Sequence, residues 1–157
     1  SFQSPWWSWP LIIRPIWYYK APDMPAGLAS TISSFGNPAV WWAGLAAFFY
    51  ALKEAVVRNK KALLLVIAIV SQILPWTLIS RAAFIYHFFP IIPFMMLAVV
   101  YVINKLEDMG LERKWVYAYL ALVLVLFIVF YPAVSGMVIP RAYAELMEIL
   151  PSWVFWT

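Results

Sequence analysis

The chain has 157 residues, of which 66% are hydrophobic and 11% charged, and its formal net charge is +4. Ordinary soluble domains have roughly 45–50% apolar and about 25% charged residues. The composition therefore excludes an ordinary soluble domain and predicts an integral membrane protein. The small positive charge gives no support to nucleic-acid binding. Because cysteine is absent, disulfides and thiolate chemistry are excluded as well.

Prolines and aromatic residues dominate the first part of the chain. Tryptophans and tyrosines crowd around the early prolines: Trp6, Trp7, Trp9, Trp17, Tyr18 and Tyr19. Such amphipathic rings favour the boundary between headgroups and hydrocarbon, so we expect a segment that lies along the membrane. Residues 21–36 are rich in proline, glycine and hydroxyl side chains, which predicts a loop with a short helix at most. Residues 1–36 are therefore interpreted as an extracytoplasmic interfacial segment.

Four apolar runs follow, each close to the roughly 20 residues that a helix needs to cross the hydrocarbon. They cover residues 38–52 (extendable to 57), 62–79, 83–103 and 115–139. The sequence therefore predicts an all-α integral membrane protein. Its transmembrane domain, residues 37–139, consists of four helices.

The basic residues predict the orientation of these helices. Seven of the 11 Lys and Arg residues lie between the first and second runs or between the third and fourth: Lys53, Arg58, Lys60, Lys61, Lys105, Arg113 and Lys114. The positive-inside rule places both of these loops in the cytoplasm. Both termini then lie outside, together with four basic residues: Arg14, Lys20, Arg81 and Arg141. We expect Arg14 and Lys20 to be solvated at the edge of the interfacial segment.

The pattern changes again after Pro140. In residues 141–150 the apolar and charged side chains occupy opposite helical faces, which predicts an amphipathic helix that Pro151 ends. Residues 140–157 are interpreted as this short extracytoplasmic helix and a tail. Trp153 and Trp156 are expected to anchor the tail at the interface.

The polar chemistry of the chain is concentrated in residues 80–94, S-R-A-A-F-I-Y-H-F-F-P-I-I-P-F. Arg81 precedes the third run and His87, the only histidine, lies inside it; such placement is costly unless a polar ligand or protein partner is present. The two prolines remove backbone donors and favour a kink. We therefore predict a polar helix entrance with Arg81, Tyr86 and His87 as binding residues. The alternative is an arginine that snorkels to the interface and a histidine bonded to a neighbouring helix.

Motifs of soluble enzymes are absent from the sequence. It contains no glycine-rich phosphate loop, no G-x-S-x-G, no paired histidines at metal-ligand spacing and no cysteine cluster. We therefore expect no metal site and no cofactor in this chain. The few polar residues within the runs also argue against a transporter or channel.

Four segments together resemble one protein family. They are S-P-W-W-S-W-P at residues 4–10, R-P-I-W-Y-Y at 14–19, G-N-P-A-V-W-W at 36–42 and the stretch at 80–94. In this order and spacing they resemble the C-terminal four-helix membrane region of bacterial protein O-mannosyltransferases. The resemblance implies an integral-membrane glycosyltransferase of the GT-C type. Such an enzyme transfers mannose from a polyprenyl-phosphate carrier to Ser or Thr hydroxyls of exported proteins.

The resemblance also implies roles for the candidate residues. In this family the acidic catalytic motif lies in the first extracytoplasmic loop, upstream of the matched region, and this chain has no counterpart. We therefore expect the C-terminal membrane half of an enzyme of the bacterial cytoplasmic membrane, without catalytic residues of its own. Arg81 is expected to contact the carrier phosphate, with His87 and Tyr86 supporting it or the sugar. Three tryptophans are candidates for the acceptor or sugar side, with interface anchoring as the alternative: Trp6, Trp7 and Trp9.

A second function remains open at this point. The chain is also compatible with a non-catalytic structural subunit that keeps this fold within a larger membrane complex. An upstream region with an acidic pair in its outer loop would favour the transferase, whereas an autonomous product of this length would favour the subunit. The expected partners are membrane lipid, polyprenyl-phosphate-mannose, an acceptor protein, and an upstream catalytic half or other membrane subunits.

Overall fold

A computed structural model of the chain describes residues 3–155. Within these residues, four long α-helices form the body of the molecule: α1 Pro38–Val56, α2 Lys60–Thr77, α3 Ile92–Asp108 and α4 Arg113–Val134. Two 3₁₀ segments, four short strands and a fifth helix complete the described part. They are the 3₁₀ segments Trp6–Ser8 and Ile85–Ile91, β1 Ile16–Lys20, β2 Leu28–Ala29, β3 Thr31–Ser34, β4 Ile139–Pro140 and α5 Arg141–Met147.

Three segments of the described chain are long and apolar enough to cross a membrane: Lys60–Thr77, Ile85–Asp108 and Arg113–Val134. Their surfaces are mostly exposed and apolar, as expected of helices that face lipid. α1 has 19 residues and packs against α2 and α3, but it is not among the three. The structure thus confirms a largely helical, multi-pass membrane protein. The fourth span and the exact span count stay predictions.

Asn37 determines where α1 begins and how α4 packs beside it. Its side-chain oxygen accepts a hydrogen bond from the N–H of Ala39 at 3.0 Å, which satisfies a donor of the first helical turn. Pro38 occupies the next position, where a helix needs no N–H donor. The side-chain amide of Asn37 donates to the carbonyl of Val123 in α4 at 2.8 Å. One asparagine therefore caps α1 and joins it to α4.

The connections between α1 and α2 and between α3 and α4 lie at one end of the bundle, here called the loop end. Asn59 caps α2 and donates to the Tyr101 hydroxyl at 2.8 Å, and that hydroxyl donates to Glu54 at 3.2 Å. This chain of hydrogen bonds joins α1, α2 and α3. The two basic loops therefore share one end, as predicted, and their cytoplasmic location stays a prediction.

The opposite end, here called the site end, contradicts the all-α prediction. β1 pairs antiparallel with β3, β2 pairs antiparallel with β4, and one further bridge joins Ile32 to Ser135. Residues 16–34 were predicted as part of an interfacial segment and a loop. They form strands because aromatic and β-branched residues favour extended backbone, and Gly27, with a φ of +85°, makes the turn before β2.

The C-terminal tail belongs to the core of the site end. Trp153 and Phe155 are fully buried, and the Trp153 indole N–H donates to the carbonyl of Ile12 at 2.5 Å. The prediction that Trp153 anchors the tail at the interface is therefore wrong, because the tail and the N-terminal segment bury each other. Trp156 lies outside the described residues.

α5 is shorter than its sequence pattern predicts. It ends at Met147, before the predicted end at Pro151, and its buried face consists of Ala144 and Met147. Leu146, which the helical pattern places on the apolar face, is exposed. The helix therefore packs against the bundle through a narrower face than predicted.

Gly36 makes a close approach that another residue would disrupt. A Cβ at this position would lie 2.0 Å from an indole carbon of Trp41, which is 3% exposed and packs on Phe88. Because the indole has no room to move, we expect Gly36→Ala to lower the stability of the full-length protein by about 1–3 kcal/mol or more. Thermal melting of the detergent-purified protein measures this loss of stability. Adding Trp41→Phe should recover part of the loss, and an unchanged melting temperature in Gly36→Ala would contradict the close approach.

Candidate functional site

A cleft of about 470 Å³ opens at the site end. Residues 3–6 form one wall, and most of residues 76–83, which run from the last turn of α2 into the connection to α3, form the other. Arg14 completes the lining. The cleft therefore lies where residues 3–6 contact the connection between α2 and α3.

Backbone hydrogen bonds hold the two walls together. The N–H of Ser4 donates to the carbonyl of Ala83 at 2.9 Å. Ser4 in turn is held by Trp9, whose indole N–H lies 3.1 Å from both the carbonyl and the hydroxyl oxygen of Ser4. The S-P-W-W-S-W-P segment is thus fixed to the stretch that carries Arg81.

Arg14 and Arg81 give the cleft its charge. Both side chains are exposed, both line the cleft, and no carboxylate is among the lining residues that the structure describes. Arg81 has no hydrogen bond or ion pair with any residue of the described part, and Arg14 makes a long bond of 3.5 Å to the Gln3 carbonyl. A guanidinium presents five donors in a planar fork that matches phosphate or carboxylate. The cleft is therefore suited to an anionic ligand.

His87 and Tyr86 lie behind the cleft wall. The His87 ring centroid is 4.1 Å from that of Trp76, which lines the cleft, and 4.3 Å from that of Tyr86. Nδ1 of His87 lies 3.2 Å from the backbone nitrogen and 2.9 Å from the carbonyl oxygen of Phe84. His87 is therefore placed to hold Trp76 and Tyr86 to support His87, and neither is among the described residues that line the cleft.

The three tryptophans proposed for the acceptor or sugar side occupy different environments. Trp6 lines the cleft and is 38% exposed. Trp7 is more exposed and lines a separate apolar pocket. Trp9 is 1% exposed, and its ring packs against Trp76 and His87. Only Trp6 therefore presents a surface to the cleft, whereas Trp9 supports the site from within the core.

An apolar pocket of about 200 Å³ adjoins the cleft. Its walls come from the inner faces of α1, α2 and the segment leading into α3, and include Leu45, Ile73 and Phe88. Trp6 lines both this pocket and the cleft. A cationic cleft and an apolar pocket that share one wall match a ligand with an anionic head and a hydrocarbon tail.

Arg14 is the site residue that the sequence interpretation missed. The sequence predicted a solvated arginine at the edge of an interfacial segment, yet the structure brings Arg14 into the same cleft as Arg81. Their juxtaposition depends on the long-range bond between Ser4 and Ala83. One feature of the sequence could have indicated Arg14: it begins R-P-I-W-Y-Y, one of the four segments on which the family resemblance is based.

The other two basic residues predicted to lie outside are also at the site end. Lys20 and Arg141 line a second polar cleft, of about 340 Å³, together with Asp23. The Arg141 Nε lies 3.4 Å from the Leu28 carbonyl, so this arginine also contacts the small β2–β4 sheet. Within the described residues, no group of three His, Cys, Asp or Glu side chains is arranged to hold a metal ion.

Comparison with known proteins gives matches over almost the whole chain. A family profile described as the C-terminal four TMM region of protein-O-mannosyltransferase matches residues 1–153. Polyprenol-phosphate-mannose–protein mannosyltransferases from Corynebacterium glutamicum, Mycolicibacterium smegmatis and Mycobacterium tuberculosis are 29%, 28% and 27% identical over 95% of the chain. The chain spans only 32–33% of the length of these relatives. No solved structure shows a significant match.

Proposed function

The chain belongs to the protein O-mannosyltransferase family, and its residues 1–153 match the profile of the C-terminal four TMM region; we propose that it binds the lipid carrier in a polyprenyl-phosphate-mannose-dependent protein mannosyltransferase. The relatives are named for this donor and for protein acceptors. The observation that carries the proposal is that Arg14 and Arg81 line one cleft, and that this cleft shares Trp6 with an apolar pocket.

The chemistry of the transfer explains what such a cleft contributes. The bond between the anomeric carbon of mannose and the carrier phosphate breaks, and the acceptor hydroxyl oxygen bonds to that carbon. The phosphate leaves with an additional negative charge, so guanidinium donors that are already positioned in the cleft stabilise the transition state more than the bound substrate. Arg14 and Arg81 are proposed for this role. A carboxylate in the upstream part of the full-length enzyme takes the hydroxyl proton.

The apolar pocket provides a place for the hydrocarbon next to the phosphate. Trp6 separates the polar and apolar parts and forms a common wall, with Leu45 and Ile73 deeper in the pocket. A volume of about 200 Å³ accommodates only the beginning of a prenyl chain. The remainder of the prenyl chain then lies in the bilayer beside α1 and α2.

His87 and Tyr86 are proposed as positioning residues. His87 packs on Trp76, and Tyr86 packs on His87, so the pair fixes how Trp76 faces the phosphate and sugar. The site end is proposed to face the outside of a bacterial cytoplasmic membrane, because the loop end carries most of the basic residues.

Binding of polyprenyl phosphate to the detergent-purified full-length enzyme tests the proposal. We expect Arg81→Ala to weaken binding about tenfold or more, since a hydrogen bond to a charged group contributes about 1.5–3 kcal/mol. Arg113→Ala is the matched control, because Arg113 is exposed and pairs only weakly with Glu107 at the loop end. Equal affinity in both variants would contradict the assignment. If polyprenyl phosphate does not bind at all while other membrane subunits co-purify, the structural-subunit function is supported instead.

A further inference from the structure

β1 begins two residues after the cleft arginine Arg14 and has one open edge. Four of its five residues pair with β3 on one side, and within residues 3–155 no strand pairs with its other side. The side chains of its last three residues are exposed: Tyr18, Tyr19 and Lys20. The open edge is therefore accessible from solution.

The ladder geometry shows which main-chain groups face this open side. The N–H of Gly136 donates to the carbonyl of Thr31 at 2.8 Å, so the Thr31 main chain is directed away from β1. Lys20 is the partner of Thr31, and the N–H of Ala21, the residue after β1, donates to the Ser30 carbonyl at 3.0 Å. Lys20 and Thr31 are therefore a non-hydrogen-bonded pair. It follows that the N–H and C=O of Lys20 point outward from the sheet.

The open edge starts beside the cleft. Consecutive Cα atoms are about 3.8 Å apart, so Ile16 lies within about 8 Å of Arg14, and five extended residues span about 17 Å. The Tyr18 ring centroid lies 6.2 Å from that of Tyr86, in the same stretch as Arg81. A segment lying along β1 therefore has one end close to the two arginines.

We propose that the open edge of β1 binds the acceptor protein as an extended segment, which adds a third strand and brings its Ser or Thr hydroxyl to the cleft. This inference rests on the proposed function of the cleft and specifies how the acceptor is held. Strand addition takes its affinity from main-chain hydrogen bonds. Recognition of this kind requires a locally unfolded segment and depends little on the identity of its side chains.

Two features of β1 limit the partner to a short segment. The pairing register shifts between Trp17 and Tyr19, which is a β-bulge that bends the strand. Lys20 adds a charge at the edge, and a bulge and a lysine both discourage pairing with a long strand of another sheet. Few main-chain bonds form, so the segment binds weakly and leaves after transfer.

The Lys20→Pro variant of the full-length enzyme tests the inference. Proline removes the outward N–H, and it is tolerated on edge strands because the inward pairing does not use that donor. Lys20→Ala is the reference, since it loses the same charge but keeps the N–H. With polyprenyl-phosphate-mannose and a Ser/Thr-containing peptide, we expect the peptide KM to be about two- to tenfold higher in Lys20→Pro than in Lys20→Ala. The donor KM should be equal in the two variants.

A second measurement uses the unaltered enzyme. Peptides that are N-methylated at one backbone amide at a time should show a two-residue period, because alternate amides of a strand face β1. Methylation at the facing amides should raise the peptide KM, and methylation between them should not. Equal peptide KM values for the two Lys20 variants, or a methylation profile without this period, would overturn the inference. A failure of the proposed carrier site appears separately, as an unchanged affinity for polyprenyl phosphate in Arg81→Ala.

Discussion

The full-length enzyme with both Arg14→Ala and Arg81→Ala is expected to show a kcat/KM for polyprenyl-phosphate-mannose that is about 10²–10⁴-fold lower than that of the unaltered enzyme. Each guanidinium contributes about 1.5–3 kcal/mol when it donates to a charged group, or roughly a factor of 10–150. The two side chains line one cleft, and no other basic side chain among its described lining residues could compensate for their loss. Initial rates at varied donor concentration, with saturating peptide, measure the effect.

Conservative variants separate the charge of these arginines from their geometry. Arg81→Lys keeps the positive charge but loses the planar fork, so we expect a donor KM between those of the unaltered enzyme and Arg81→Ala. The peptide KM should stay the same in all these variants, because the acceptor is proposed to bind elsewhere. If the donor KM rises in Arg81→Ala but not in Arg14→Ala, the phosphate contacts Arg81 alone, and the two-arginine site is contradicted.

The helical part of the fold was predictable from the sequence because one physical requirement dominates it. A segment that crosses hydrocarbon must be apolar over its whole length and must satisfy its own backbone hydrogen bonds. The predicted runs at 62–79 and 115–139 therefore correspond closely to Lys60–Thr77 and Arg113–Val134. The basic residues between the runs likewise indicated that both connections share one end.

The site end was less predictable, because the same residue types serve in several environments. A tryptophan at the membrane boundary and a tryptophan in the core look alike in sequence. Trp153 is buried because the Ile12 carbonyl accepts its indole N–H, and no local pattern relates these two residues. The β1–β3 pair was missed for a related reason: three prolines precede β1, and they suggested irregular backbone. Strand pairing depends on partners distant in the chain.

The two arginines of the candidate site also differ in how far the sequence predicted them. Arg81 was predicted because its position before an apolar run is costly without a ligand. Arg14 has no such signal, since an arginine among prolines and aromatic rings is typical of any interfacial segment. Its assignment needed the contact between Ser4 and Ala83, which closes the cleft over the end of α2.

Trp9→Ala is expected to destabilise the full-length protein by about 3–5 kcal/mol, the usual cost of truncating a large buried aromatic side chain. Trp9 is 1% exposed, and its indole N–H holds Ser4, which in turn is bonded to Ala83. Removal of the ring leaves a cavity beside Trp76 and releases the N-terminal wall of the cleft. The melting temperature of the detergent-purified enzyme should fall clearly, and donor binding should fall with it.

Trp6→Ala is the matched comparison, because the two residues belong to the same S-P-W-W-S-W-P segment but differ in burial. Trp6 is 38% exposed and lines both the cleft and the apolar pocket, so its loss removes ligand surface and little of the core. We expect a melting temperature close to that of the unaltered enzyme and a donor KM raised several-fold. Equal melting temperatures for the two variants would contradict the structural role of Trp9. A donor KM unchanged in Trp6→Ala would mean that the carrier does not pass from the cleft into the apolar pocket beside Trp6.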